Sequence, residues 1–127
     1  MSKIPQISDS EWQVMKVIWT YAPCTANRVV EVLSVTTDWH SKTIKTLINR
    51  LVNKEAIGYK VDEKDKKTYH YYPLISENVC VKAESQSFLK RVFGGSPNIM
   101  LANFIKECDL SQEDINELKH ILDEKKG

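Results

Sequence analysis

"SKTIKTLINRLVNKEAIGYK", Ser41 to Lys60, sets a stripe of Ile and Leu against a row of Lys, Thr, Asn and Arg, then runs into an aromatic, basic segment. Ile44, Leu47, Ile48, Leu51 and Val52 fall at the i, i+3, i+4, i+7, i+8 spacing of a helix with one buried face. At about 100° per residue, Lys42, Thr46, Asn49 and Asn53 project opposite that stripe, with Thr43, Lys45 and Arg50 beside them. Any solvated helix shows such a face, so its meaning depends on its neighbours.

Upstream, Ser8-Asp9-Ser10-Glu11 has the S-x-x-E form of a capping box, and Trp12, Met15, Ile18 and Trp19 follow at helical spacing. A first helix to about Tyr21 is predicted. Pro23 ends it, and Thr25 caps a short second helix that carries Val29, Val30, Val32 and Leu33 and reaches about Val35. The turn-rich "TTDWH" precedes the third helix, whose expected cap is Ser41. Downstream, "IGYKV" and "TYHYYPL" are rich in β-branched and aromatic residues, and the charged "DEKDKK" between them predicts a hairpin with a basic tip. Helical patterning returns from Ser76. Val79, Ala83, Phe88 and Leu89 mark a long helix stopping near Gly94-Gly95. Ser96-Pro97 starts another with Ile99, Met100, Phe104 and Ile105 on its apolar side. Ser111 with Asp114 starts a last one with an Ile115, Leu118, Ile121, Leu122 seam. The fold class is therefore mainly α with a small β-hairpin wing: a winged helix-turn-helix over residues 1–75, followed by a helical region over 76–127.

The chain has 127 residues, 42% of them hydrophobic, enough for one core or two small ones. No apolar run is long enough to span a membrane, and Met1 to Gln6 lacks the apolar stretch of a secretory leader, so a cytoplasmic protein without membrane insertion is expected. Cys24, Cys80 and Cys108 are odd in number and far apart, which suggests reduced packing residues rather than disulfides or a zinc site. The net charge of +1 is unevenly spread: residues 1–75 hold 11 basic against 8 acidic side chains, residues 76–127 hold 7 against 9, and residues 41–75 alone hold 8 against 4. The electrostatic footprint for an anionic partner thus falls on the third helix and the wing.

In a helix-turn-helix the second helix of the motif lies in the major groove of double-stranded DNA and its first turns meet base edges. Lys42, Thr43 and Thr46 are best placed for bases. Lys45 and Arg50 suit either bases or phosphates; Arg50 is assigned to bases, and Lys45 with Ser41 and Asn49 to the backbone. Lys64, Lys66 and Lys67 at the wing tip are flexible cations suited to phosphates. Trp12, Trp19, Met15 and the tyrosines 59, 69, 71 and 72 could stack on bases, but their amphipathic spacing favours core packing. No enzyme is indicated: His40, His70 and His120 are scattered, and G-x-S-x-G, H-E-x-x-H and phosphate-binding glycine loops are absent, so neither cofactor nor metal is expected.

The stretches "ISDSEWQVMKVIW", "KTIKTLINRLVNKEAIG", "YHYYPLI", "SFLKRVFGG" and "LANFIKE" resemble, in order and spacing, the penicillinase and methicillin-resistance repressors of Gram-positive bacteria, over nearly the whole chain. The resemblance implies a homodimeric repressor of palindromic operators of β-lactamase or related resistance genes. It places dimerisation in the C-terminal helices, where Phe88, Met100, Phe104, Ile115, Leu118 and Leu122 are the candidate contacts. It also implies induction by proteolysis through a transmembrane β-lactam sensor protease, the cut bond mapping onto Asn103-Phe104. Many members have Gly where this chain has Glu55, a helix end that favours the left-handed conformation. Copper-responsive relatives carry clustered C-x-C motifs, whereas Cys108 stands alone.

A dimer makes the second DNA contact intramolecular and raises affinity by about 10² to 10⁴, so a cut that weakens the dimer releases the operator. A bond within a helix is protected until the helix opens locally. Two other readings share the fold: a repressor of unrelated genes relieved by a small ligand, and a winged-helix module that binds protein.

Overall fold

The structure, a computed structural model, describes residues 4–127. The expectation about a leader rests partly on residues 1–3, which lie outside the described residues. The chain forms α1 (Asp9–Tyr21), α2 (Ala26–Leu33), α3 (Ser41–Asn53), β1 (Ile57–Val61), β2 (Tyr69–Pro73), α4 (Glu77–Phe93), α5 (Pro97–Glu107) and α6 (Gln112–Lys126). Two compact units result, one ending at Ala83 and the other running Glu84–Gly127.

In the first unit, Val14, Met15 and Ile18 of α1, Val29 and Leu33 of α2, and Ile44, Leu47, Ile48 and Leu51 of α3 form one buried cluster. Burying each such side chain contributes about 1.5–3 kcal/mol, enough to hold three short helices that would not form alone. Ser8 and Glu11 make the expected reciprocal capping box, and the Thr25 hydroxyl accepts from Arg28 N–H at 3.2 Å. α2 ends at Leu33, two residues short of Val35, because Val35 is exposed and gains nothing from the core. Ser41 is not the cap of α3. His40 holds the extended N-cap conformation, makes no side-chain cap bond, and leaves Ser41 as the first helical residue.

The far end of α3 is closed in full. Glu55 sits at φ 62, Ala56 N–H donates to Leu51 O and Glu55 N–H to Val52 O, each at 3.0 Å. This bond pair is the Schellman arrangement, with buried Leu51 and Ala56 as its apolar contact. The cap survives without glycine, at the cost of a left-handed Glu. Nearby, Lys54 Nζ donates to Glu11 Oε1 and, at 2.8 Å, to Gln6 O. Glu11 is only 2% exposed. Burial alone would push its carboxyl up, but the Lys54 ammonium and the Ser8 N–H outweigh it and hold the pKa below its ordinary value.

β1 and β2 pair antiparallel with Tyr59 opposite Tyr71 and Val61 opposite Tyr69. The loop before α2 joins this ladder at Cys24. Trp19 Nε1 donates to Ile75 O at 3.0 Å, and Lys16 pairs with Glu77, so the first turn of α4 belongs to this unit. In the second unit, Gly94 and Gly95 take φ 61 and 86 and end α4, after which Ser96 caps α5 and Ser111 with Asp114 caps α6. No described helix is long and apolar enough to cross a membrane.

Glu55→Gly removes the left-handed strain and is expected to stabilise the protein by about 1 kcal/mol in urea unfolding. Lys54→Met leaves the Glu11 carboxylate buried without its partner and should cost about 2–3 kcal/mol. Because the Glu11 pKa is lowered on folding, its contribution is complete above the unfolded value near 4.5 and is lost as pH falls through the lower folded value. The stability of the parent should therefore fall more steeply below pH ~4.5 than that of Glu11→Gln.

Candidate nucleic-acid interface

The buried stripe of α3 forces the remaining residues of that helix outward. Ser41, Lys42, Thr43, Lys45, Thr46, Asn49 and Arg50 are all exposed and share the helix with no acidic residue. Thr46 Oγ1 donates to Lys42 O at 2.9 Å, so its hydroxyl keeps acceptor capacity outward and its orientation is fixed. Among the described residues no side chain caps the first turn at His40 and Ser41, which leaves its backbone N–H groups available at the end that carries the helix's positive dipole.

Lys64, Lys66 and Lys67 are exposed at the wing tip, on a loop that is built rather than loose. Asp62 Oδ1 accepts from Lys64 N–H at 2.8 Å and Asp65 N–H at 3.0 Å, Asp65 Oδ1 accepts from Lys67 N–H at 3.0 Å, and Thr68 Oγ1 donates to Asp65 Oδ2 at 2.7 Å. The His70 ring donates to Asp62 Oδ2 at 2.9 Å. His70, followed by the N–H groups of Asp65 and Lys64, holds the Asp62 carboxyl down to about 2. Thr68 and Lys67 likewise lower Asp65. The acidic residues of "DEKDKKT" thus order the lysines. Composition shows only mixed charge there, whereas the D-x-x-D-x-x-T spacing is the signal for consecutive side-chain turns.

The aromatic residues divide. Met15 and Tyr71 are buried, and Trp12, Trp19 and Tyr72 are partly buried, as packing predicts. Tyr59 and Tyr69 are not core residues: they are 44% and 39% exposed and stack on each other with centroids 4.5 Å apart. Both share a strand face with buried Ile57 and Tyr71 but lie further towards the wing tip, beyond the cover of the helices, and there the alternation of a strand looks the same as in a core. Cys24 and Cys80 are buried, and burial raises both thiol pKa values, but Cys108 is exposed and is not a packing residue. Among the described residues, no group of three or more His, Cys, Asp or Glu side chains could hold a metal.

In the second unit, Phe88, Phe93 and Phe104 form an aromatic trio with centroids 5.8–6.3 Å apart. Asn103 is exposed on α5 and Phe104 keeps 41% of its surface exposed. Met100 and Ile115 are partly covered, Leu118 and Leu122 are exposed, and no side chain of α5 or α6 is buried. The candidate DNA contacts thus gather on α3 and the wing in one unit, and the candidate cleavage and dimer residues gather in the other.

Three helices with α3 presented outward, followed by a two-stranded wing, define a winged-helix DNA-binding protein. The sequence signature described as "Penicillinase repressor" spans residues 7–124. The chain is 44% identical to the penicillinase repressor of Bacillus licheniformis over 127 residues, covering 100% of this chain and 97% of that protein. It is 40% identical to the methicillin resistance regulatory protein MecI of Staphylococcus aureus (strain N315) over 124 residues, 98% of each. Among solved structures it is similar to the monomeric form of Bacillus licheniformis BlaI in complex with the blaP half-operator, with TM-score 0.52 and 42% identity over 61% of this chain and 92% of that one. The chain belongs to the penicillinase repressor family, whose members are DNA-binding transcriptional repressors and not enzymes.

His70→Ala is expected to raise the Asp62 pKa from about 2 towards its ordinary 3.8, read by carboxyl-carbon NMR titration. In the same variant, amide exchange at Lys64 should quicken.

Proposed function

We propose that this chain is a homodimeric cytoplasmic repressor that binds palindromic operator DNA of β-lactamase or related antibiotic-resistance genes. The observation that carries the reading is the acid-free outer face of α3, held in place by its own buried stripe. Lys42, Thr43, Thr46 and Arg50 read bases, and Ser41, Lys45, Asn49, Lys64, Lys66 and Lys67 contact the phosphates that set register. The solved relative bound to the blaP half-operator supports a duplex-DNA ligand of this type.

The second unit supplies the dimer contacts. Ile99, Leu101, Ile105, Ile121 and Leu122 are 45–58% exposed, and helices this short are not stable with such faces in water. A second copy, meeting Phe88, Met100, Phe104, Ile115, Leu118 and Leu122, covers them. Inactivation follows cleavage at Asn103–Phe104 by a transmembrane protease that senses β-lactams. α5 suits that role: it follows a two-glycine turn and has no buried side chain to resist opening. The cut separates α6 from the rest, weakens the dimer and so releases the DNA.

Fluorescence anisotropy on the blaP half-operator and a scrambled duplex tests the reading. The parent should prefer the operator by about 10³ or more. Lys42→Ala and Thr46→Ala should each erase about 10–100-fold of that preference while leaving scrambled-duplex binding within a few-fold. Equal binding to both duplexes by the parent contradicts an operator of this class.

A further inference from the structure

One concavity of the N-terminal unit lies between the two surfaces assigned so far, sharing Lys45 with α3 and Lys67 with the wing. Between the start of α2, the side of α3 and the end of the wing loop is an open cleft of about 240 Å3, lined in part by Thr25, Asn27, Lys45, Lys67, Thr68 and Tyr69. Its walls are held in fixed relation. Cys24 N–H donates to Tyr71 O at 3.0 Å and Tyr71 N–H to Cys24 O at 2.7 Å, which makes the segment before α2 an added edge of the wing. Tyr71 is anchored in the core, and Tyr69 is braced by its stack on Tyr59.

The cleft is rich in donors. Lys45 and Lys67 reach it from different elements, and among the described residues neither forms an ion pair. The Thr25 oxygen is occupied by Arg28 N–H, which leaves the Thr25 hydroxyl proton and the first-turn N–H groups of α2 as donors. Asn27 and Tyr69 add an amide and a phenol. Two ammonium groups without counter-ions beside neutral donors suit a tetrahedral oxyanion, and duplex DNA presents such groups at regular intervals.

We infer that this cleft seats one backbone phosphate of the duplex that α3 reads, with Asn27 and Tyr69 as additional DNA-binding residues. The inference rests on the DNA-binding reading proposed above. A phosphate held there joins the wing to the helix-turn-helix and fixes the angle at which α3 enters the groove. It adds affinity and register but no sequence preference.

The test uses the full chain on the blaP half-operator and on a scrambled duplex of equal length, over a range of salt. Tyr69→Phe keeps the aromatic stack and Asn27→Ala alters an exposed helical position, so the unfolding midpoint should match the parent. Each variant is expected to weaken binding to both duplexes by the same factor, about 5–20-fold. Lys67→Ala should also flatten the slope of log K against log salt by about 0.9. In a series of half-operators each carrying one neutral methylphosphonate linkage, a single position should abolish the effect of Tyr69→Phe, because the contact is already lost there. Variants that bind both duplexes like the parent, or that lose affinity for the operator alone, overturn the clamp. A parent that binds neither duplex overturns the DNA-binding reading instead.

Discussion

Burial of the Ile44, Leu47, Ile48, Leu51 stripe against α1 and α2 is the constraint on which the rest depends. A helix has two sides, and fixing one by apolar burial fixes the other by geometry. The polar side of α3 is therefore presented at a set angle with no contact of its own to hold it. The Schellman closure at Glu55 and the Lys54–Glu11 pair pin the C-terminal end of α3 to the start of α1, while its N-terminal end stays open. The open end is the one suited to an anion, since the available N–H groups and the positive end of the dipole lie there.

Electrostatics refine what packing sets. The wing tip carries lysines on a loop whose shape is dictated by Asp62 and Asp65, so cations that would otherwise sweep a wide volume start from an ordered backbone. Pre-ordering of this kind lowers the entropy lost when a contact forms. The second unit uses the opposite chemistry. Its α5 and α6 are well capped but bury no side chain completely, so local signals set where they begin and end.

Much of this was legible in the chain because local rules and the global fold agree. The capping boxes at Ser8 and Ser111, the Pro97 start and the Gly94-Gly95 stop are short-range signals, and the structure uses each of them. The failures share a cause, which is dependence on neighbours distant in sequence. Ser41 looks like a cap, but His40 holds the extended N-cap backbone and Ser41 is already helical. Tyr59 and Tyr69 alternate like core residues and share the face of buried Ile57 and Tyr71, yet nothing in their own segment tells how far along the hairpin the helices reach. The Lys54–Glu11 pair joins residues 43 apart and has no local signature. At the candidate interface, the α3 face was readable from periodicity alone. The ordering role of Asp62 and Asp65 and the cleft beside Tyr69 emerged only once the loop and the segment before α2 were placed in space.

On the proposed reading, duplex DNA docks on the outer face of α3 together with the wing. Amide chemical-shift mapping of the full chain on titration with the blaP half-operator tests it most directly. Perturbations are expected at Ser41–Arg50 and Lys64–Tyr69, with the buried stripe little changed. Perturbations confined to the helices after Gly95, or none at all under conditions where binding is measured, would contradict it.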